Sequence, residues 1–336
     1  MKTIYIGDKP IGKGHPTYVV AEIGINHNGD MKLAKDTIDA AVESGADAVK
    51  LQTYTTEGFI HPENPIFGMV KACEFKKDEY VELFSYAKSK GAVTFSTPEC
   101  HGDIEFLSKL DMPAIKIASM DMNYRDFLTA VSKLGKPVIL STGMSYLHEV
   151  ARSVRWIEET GNTDIVLLHC VSCYPTLPGE CNLSVIPKLA KIFGYPVGFS
   201  DHTVTLDVPF AAACLGANII EKHFTLDKSL EGPDHAGSCD SAGMKTLIGW
   251  LRNFEAAYGS GFKAPSVLEQ VTRLKKRRSI FSKRAIKAGD VLTQDDLQFL
   301  TPSVLESQIE DIEGFLGRTV KEDIPANGLI SSKILN

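Results

Sequence analysis

The sequence predicts a parallel (β/α)8 barrel followed by a small β-rich domain. Three observations carry this. Strand-like runs alternate with helix-like segments from Tyr18 to about Tyr258, eight of each. The strand-like runs are apolar throughout, as expected where both faces of a sheet are covered. After Gly261 the pattern gives way to short β-runs punctuated by glycine-containing turns. A doubly wound open sheet would also alternate strand and helix, but no GxGxxG follows the first strand.

The elements follow in order. YVVAE (18–22) leads to a helix over 31–44, and ADAVKLQ (46–52) to a long loop and a helix over 78–90. AVTFS (92–96), PAIKIAS (113–119) and PVILST (137–142) precede helices over 102–109, 124–134 and 147–160. DIVLLHC (164–170) precedes a helix over 183–193. YPVGF (195–199), a helix over 208–216 that ends in glycine, and ANIIE (217–221) form a βαβ unit, so their strands are parallel neighbours. A last helix covers 241–258. The barrel is therefore expected over 1–262. Residues 263–279, with the basic run RLKKRR (273–278), read as a solvated linker, and 280–336 as the small domain. Its turns Ala-Gly-Asp (288–290) and Ala-Asn-Gly (326–328) call for positive φ at glycine. So small a domain needs a surface to dock on.

The bulk properties exclude several classes. A 336-residue chain with 43% hydrophobic and 23% charged residues is ordinary for a soluble globular protein. Its net charge of -6 argues against nucleic-acid binding and gives no reason for membrane attachment. No apolar run approaches the roughly 20 residues that span a bilayer. The N-terminal segment lacks a signal peptide's apolar core, and seven cysteines then suggest reduced thiols in a cytoplasm. Cys170 and Cys173 form a CxxC, but Pro175 and Pro178 make a loop the better reading than a redox helix start.

Active sites of (β/α)8 barrels lie at the C-terminal strand ends, and there this chain places reactive side chains repeatedly. Glu22 ends the first strand, Lys50 and Gln52 the second, and Thr97 follows the third. Lys116 and Ser119 end the fourth, Tyr174 follows the sixth, Ser200 and His202 the seventh, and His223 the eighth. Asp234 lies in the next loop. Only the fifth strand, with Ser141 and Thr142, looks plain. Any one of these has a bland reading, as rim charge, core histidine or helix cap; their recurrence does not. His202 and His223, on adjacent parallel strands, suit one divalent metal. Lys50 and Lys116, with hydroxyls from Thr97, Ser119 and Ser200, suit a small anion such as a phosphate ester. Glu22 and Asp234 suit proton handling or sugar hydroxyls.

Motifs spread over nearly the whole chain then add a resemblance. AEIGINHNGD (21–30), VKLQTY (49–54), FSTPE (95–99), KIAS (116–119), LSTGM (140–144), HCVSCYP (169–175), GFSDHT (198–203), EKHFT (221–225) and GPDHAGS (232–238) resemble the sialic acid (N-acetylneuraminate) synthase family. KKRRSIFSKRAIKAGDVLT (275–293) resembles the start of that family's antifreeze-like (SAF) domain. The resemblance implies a TIM barrel with a C-terminal SAF domain. It implies a transferase that condenses phosphoenolpyruvate with an open-chain, hexosamine-type aldose by C–O cleavage, releasing phosphate and a nonulosonic acid. It implies His202 and His223 as ligands of a divalent metal, Mn2+ first, with Mg2+ or Co2+ as alternatives. Lys50, Thr97, Lys116, Ser119, Ser172 and Ser200 match phosphoenolpyruvate positions, and Glu22, Gln52, Tyr174 and Asp234 match acceptor-sugar or catalytic ones. A homodimer is also implied, with or without a swap of the SAF domain.

Two departures concern the acceptor. The family commonly has KIASGE, whereas here Met120 and Asp121 follow KIAS, and Asp121, one methylene shorter than that glutamate, is expected at a substrate-binding position. The family often carries an Arg-Pro-Gly-x-Gly loop whose arginine reaches the acceptor's N-acetyl group in the other subunit; the corresponding FLTPSVLES (299–307) has no arginine. Arg318 is a conceivable substitute. N-acetylmannosamine itself is therefore in doubt, and a differently substituted or non-acylated sugar gains weight. A synthase of another 3-deoxy-2-ulosonic acid, using a non-acetylated or phosphorylated aldose, is the alternative enzyme. A non-catalytic barrel acting as a binding protein is the alternative outside enzymes.

Overall fold

The computed structural model describes residues 2–302 and 311–336, in two compact units, Met1–Tyr258 and Gly259–Asn336. The first opens with a hairpin of β1 (Ile4–Ile6) and β2 (Lys9–Ile11), which sequence reading missed because each strand is only three residues long. The eight expected barrel strands follow. They are β3 (Tyr18–Gly24), β4 (Ala48–Thr53), β5 (Val93–Pro98), β6 (Ile115–Ile117), β7 (Val138–Ser141), β8 (Ile165–Cys170), β9 (Val197–Asp201) and β10 (Ile219–His223). Each pairs in parallel with the next, and β10 returns to β3, closing the barrel. The connecting helices are α1 (Met31–Glu43), α2 (Phe67–Ala72), α3 (Lys77–Ser89), α4 (His101–Leu107), α5 (Arg125–Ser132), α6 (Leu147–Glu158), α7 (Val185–Phe193) and α8 (Asp207–Cys214). Helix α9 (Ser241–Tyr258) follows the last strand.

The strand pleat sorts side chains into two populations. Val19, Ala21, Val49, Leu51, Ile117, Leu140, Leu167 and Phe199 point outward into the apolar layer beneath the helices. Val20, Ala48, Phe95, Ile139, Val166, Leu168 and Ile219 fill the lower interior. Ile4, Ile6 and Ile11 of the hairpin join this second cluster, so the hairpin plugs the barrel's N-terminal end. Gly198 is required at its inward position: an added Cβ would stand 2.6 Å from both the Ile219 carbonyl oxygen and Leu168. Because the lower interior is packed with hydrocarbon, polar inward side chains are left to the opposite, C-terminal end.

The second unit contains α10 (Val267–Lys276), so the stretch expected as a linker is largely helical, started by a capping box from Ser266 and Glu269. Its basic run supplies the last turn, where Arg273, Lys275 and Lys276 complement the helix dipole. Strands β11 (Ser279–Ser282) and β12 (Leu297–Leu300) pair antiparallel over a small core that includes Ile280, Leu292, Phe315 and Ile330. Gly289 takes positive φ as expected, but in the second turn Asn327 does so instead of Gly328. Gly328 is needed for closeness: a Cβ there would stand 2.6 Å from Ile324. Arg318 is engaged locally, donating to the main-chain oxygen of Asn336 at 2.8 and 2.6 Å. Among the described residues no helix is long and apolar enough to cross a membrane.

Candidate active site

The C-terminal end of the barrel holds a cavity of about 380 Å3, in the size range of small-molecule sites. Of the residues singled out in the sequence, Glu22, Lys50, Gln52, Thr97, Lys116, Ser119, Ser172, Tyr174, Ser200, His202 and His223 all line it. Asp234 lines a smaller adjoining cavity together with Tyr174, His202 and His223. Asp121 does not reach the cavity wall; its segment contributes Ala118, Ser119 and Met120. The fifth strand is not plain, since Ser141 lines the cavity as well.

Two buried lysines dominate the floor. Lys50 Nζ lies 2.5 Å from Glu22, 3.6 Å from Glu221 and 3.2 Å from the Thr97 hydroxyl. Lys116 Nζ lies 3.3 Å from Glu221, and Ser200 donates to Glu221 at 2.8 Å. Glu221 is thus the hub between the two ammonium groups. Sequence reading passed over it, although its place two residues before His223 on the same strand face was a usable signal. Burial opposes its charge, but Lys116 and Lys50 outweigh burial and hold its carboxyl down at about 2. Glu22 goes the other way: burial raises it to about 7 against the pull of Lys50. Burial lowers Lys116, whereas Lys50 is raised because Glu22 and Glu221 overcome the cost of burial. Glu22 and Glu221 keep carboxylate oxygens without hydrogen-bond partners. The two ammonium groups and the hydroxyls supply the donors an anion needs, while Glu22 and Glu221 hold the lysines until it arrives.

His202 and His223 meet with ring centroids 5.6 Å apart, and Tyr174 packs 4.2 Å from the His202 ring. Nδ1 of His202 lies 2.7 Å from the Val171 carbonyl, which fixes the proton there and leaves Nε2 a free lone pair. Burial, with each ring close to positive groups or the other imidazole, lowers both to about 4, so both are neutral donors. Nδ1 of His223 is buried without a hydrogen-bond partner and lies 3.7 Å from Asp234. Among the described residues no three His, Cys, Asp or Glu side chains form a metal-holding cluster. Two neutral imidazoles side by side are a donor set that would suit a divalent metal. His169, in contrast, points outward, bonds to the Cys181 carbonyl at 2.7 Å and belongs to the packing.

The loop after β8 carries Cys173, exposed, while Cys170 is buried 3.2 Å from Ser119; both thiols are free. Glu99, which follows β5, also lines the cavity and was not singled out in the sequence. Burial and the neighbouring Asp121 push its carboxyl well above the ordinary range, with Lys50 and Lys116 opposing. Asp121 is raised to about 7 by burial, again against Lys116. Of the stretch that lacks the family's arginine, 303–307 lie outside the described residues.

Comparison with known proteins agrees with this geometry. An uncharacterized protein from Methanocaldococcus jannaschii is 43% identical over 98% of each chain. An N,N'-diacetyllegionaminic acid synthase from Legionella pneumophila is 38% identical over 92% of each chain. The crystal structure of an N-acetylneuraminic acid synthetase from Leptospira borgpetersenii in complex with citrate superposes with a TM-score of 0.77 at 33% identity, covering 80% of this chain and 94% of that one. A SAF domain matches residues 277–333 and the NeuB family matches 37–263, and the chain belongs to the NeuB family of nonulosonic acid synthases.

Proposed function

We propose that this enzyme condenses phosphoenolpyruvate with an open-chain hexosamine-type aldose to give a nonulosonic acid and inorganic phosphate. The observation that carries the reading is the pair Lys50 and Lys116, both buried and joined through Glu221 beside two neutral histidines. Two cations in a low-dielectric pocket match the carboxylate and phosphate of one small substrate. Thr97, Ser119, Ser172 and Ser200 supply hydroxyls around them. A divalent metal held by His202 and His223, with Mn2+ the first candidate, would polarise the acceptor's aldehyde oxygen.

The chemistry is then a matter of placement. C3 of phosphoenolpyruvate forms a bond to the aldehyde carbon as the C=O π pair moves onto the aldehyde oxygen, which takes up a proton, and the developing positive charge at C2 faces the carboxylates of Glu22 and Glu221. Water adds at C2, and the C2–O bond to phosphate breaks, leaving the 2-keto acid. Glu22, raised to about 7, can accept the proton of that water near neutral pH. Gln52, Tyr174 and Asp234 surround the acceptor side.

Incubation with phosphoenolpyruvate, Mn2+ and a panel of hexosamines tests the reading. The expected result is phosphate release dependent on the sugar, with an 18O label from the bridging position recovered in the phosphate. No sugar-dependent phosphate from any member of the panel would sink it. Label retained in the acid would instead indicate P–O cleavage and rule out this mechanism.

A further inference from the structure

Glu99 has no part in the condensation set out above, yet it stands in the cavity wall. It is 7% exposed, and its Oε2 is buried without a hydrogen-bond partner. Such an oxygen is costly to leave unbonded, so a ligand group is the natural partner. Glu99 follows Thr97 by two residues, and the backbone stays extended through Cys100. The two side chains therefore share a face, with Glu99 about 6–7 Å nearer the mouth. Thr97 sits with Lys50 in the anion layer, so Glu99 belongs to the layer above it, where the second substrate enters.

Its surroundings on that side are apolar. Gly58 packs so tightly on Cys100 that an added Cβ would stand 2.9 Å from the sulfur. The next residues, Phe59 and Ile60, line the same cavity as Glu99. Tyr54, Ile25, Ile60 and Val70 form one buried apolar cluster, and all four line the cavity with Glu99. Burial and Asp121 push the Glu99 carboxyl above its ordinary range, and a protonated carboxyl offers one donor and one acceptor in a plane. A secondary amide presents the complementary donor and acceptor and ends in a small apolar group. A sugar hydroxyl has no use for the hydrocarbon wall, and that wall carries no cation for a phosphate.

We propose that Glu99 is an acceptor-binding residue that pairs with the amide of an N-acyl substituent, whose methyl lies against the Tyr54–Ile60–Val70 wall. The barrel of this chain thereby supplies an amide site of its own. The assignment rests on the condensation reading of the preceding section.

The test compares an N-acetylated hexosamine with the parent hexose bearing a hydroxyl at the same carbon, in the wild-type protein and in E99L and E99Q. The wild type should favour the acylated sugar by about tenfold or more in kcat/KM. E99L should raise its acceptor KM about 10- to 100-fold while the phosphoenolpyruvate KM stays put. E99Q, which keeps a donor and an acceptor, should restore most of that loss. Equal use of the two sugars by the wild type would overturn the assignment, and this comparison needs no variant to fold. An unchanged acceptor KM in E99L, or an E99Q as impaired as E99L, would also overturn it. No phosphate release with any sugar removes the condensation reading and the assignment together; release without the preference removes the assignment alone.

Discussion

Lys222 donates to Asp201 at 2.5 Å and to the Thr203 carbonyl at 2.7 Å, with both charged side chains fully buried. Lys222 lies between Glu221 and His223, and Asp201 between Ser200 and His202. By the pleat, the pair faces away from the cavity while its four neighbours face into it. This ion pair ties β9 to β10 directly behind the two histidines. Lys222→Met leaves Asp201 as an uncompensated buried charge and should destabilise the protein by about 3–5 kcal/mol. The double variant Lys222→Met, Asp201→Leu should regain much of that in urea denaturation. A single variant as stable as the wild type would contradict the buried pair.

Removal of a floor lysine should act on phosphoenolpyruvate. Lys116→Met deletes one of two cations around Glu221. Lost charge-assisted hydrogen bonds of about 1.5–3 kcal/mol correspond to a rise of about 10- to 150-fold in phosphoenolpyruvate KM. Initial rates of phosphate release against substrate concentration report it, and an acceptor KM that moved instead would reverse the placement of the two substrates.

The histidines should govern metal affinity. His202→Ala or His223→Ala removes one of two neutral donors and should weaken Mn2+ binding by at least about tenfold, as measured by calorimetry. Unchanged affinity in both variants would place the metal elsewhere.

A pH dependence follows from Glu22. Its carboxyl is raised from 4.5 to about 7, mainly by burial, so it is neutral below that value and ionised above it. Ionised, it competes with the substrate anion for Lys50, which lies 2.5 Å away. The phosphoenolpyruvate KM should therefore be lowest below pH 7 and rise as pH increases through it. Glu22→Gln should flatten this part of the profile while lowering kcat. A profile of unchanged shape in the variant would assign the inflection to another group.

The hairpin plug should matter for stability and not for chemistry. Ile6 is fully buried at the closed end of the barrel. Ile6→Ala should cost about 2–5 kcal/mol, read as a lower denaturation midpoint, with both substrate KM values unchanged.

The sequence made much of this legible for definite reasons. Eight apolar runs separated by helical segments leave few topologies, and the structure closes those same runs into the barrel. Lys50, Lys116, His202 and His223 were visible because polar groups at the ends of apolar strands have one place to go in this fold. Hairpin β1–β2 was invisible because two three-residue strands carry no period. Helix α10 was hidden by its charge, since its apolar residues bury little: Val267 and Leu268 remain exposed. Glu221 and Glu99 were not singled out, because their meeting with the lysines across the barrel is set by the tertiary structure.

By itself the sequence determined the barrel, the lysine and histidine positions and the family motifs, because periodicity and strand-end placement are local properties. Only the tertiary structure decided which charges meet. It put Glu221 between the two lysines, withdrew Asp121 behind the cavity wall and set Glu99 in the lining of the same cavity as the Tyr54 cluster. Those outcomes depend on distances across the barrel and on burial, which set the strength and sign of every electrostatic interaction in the site.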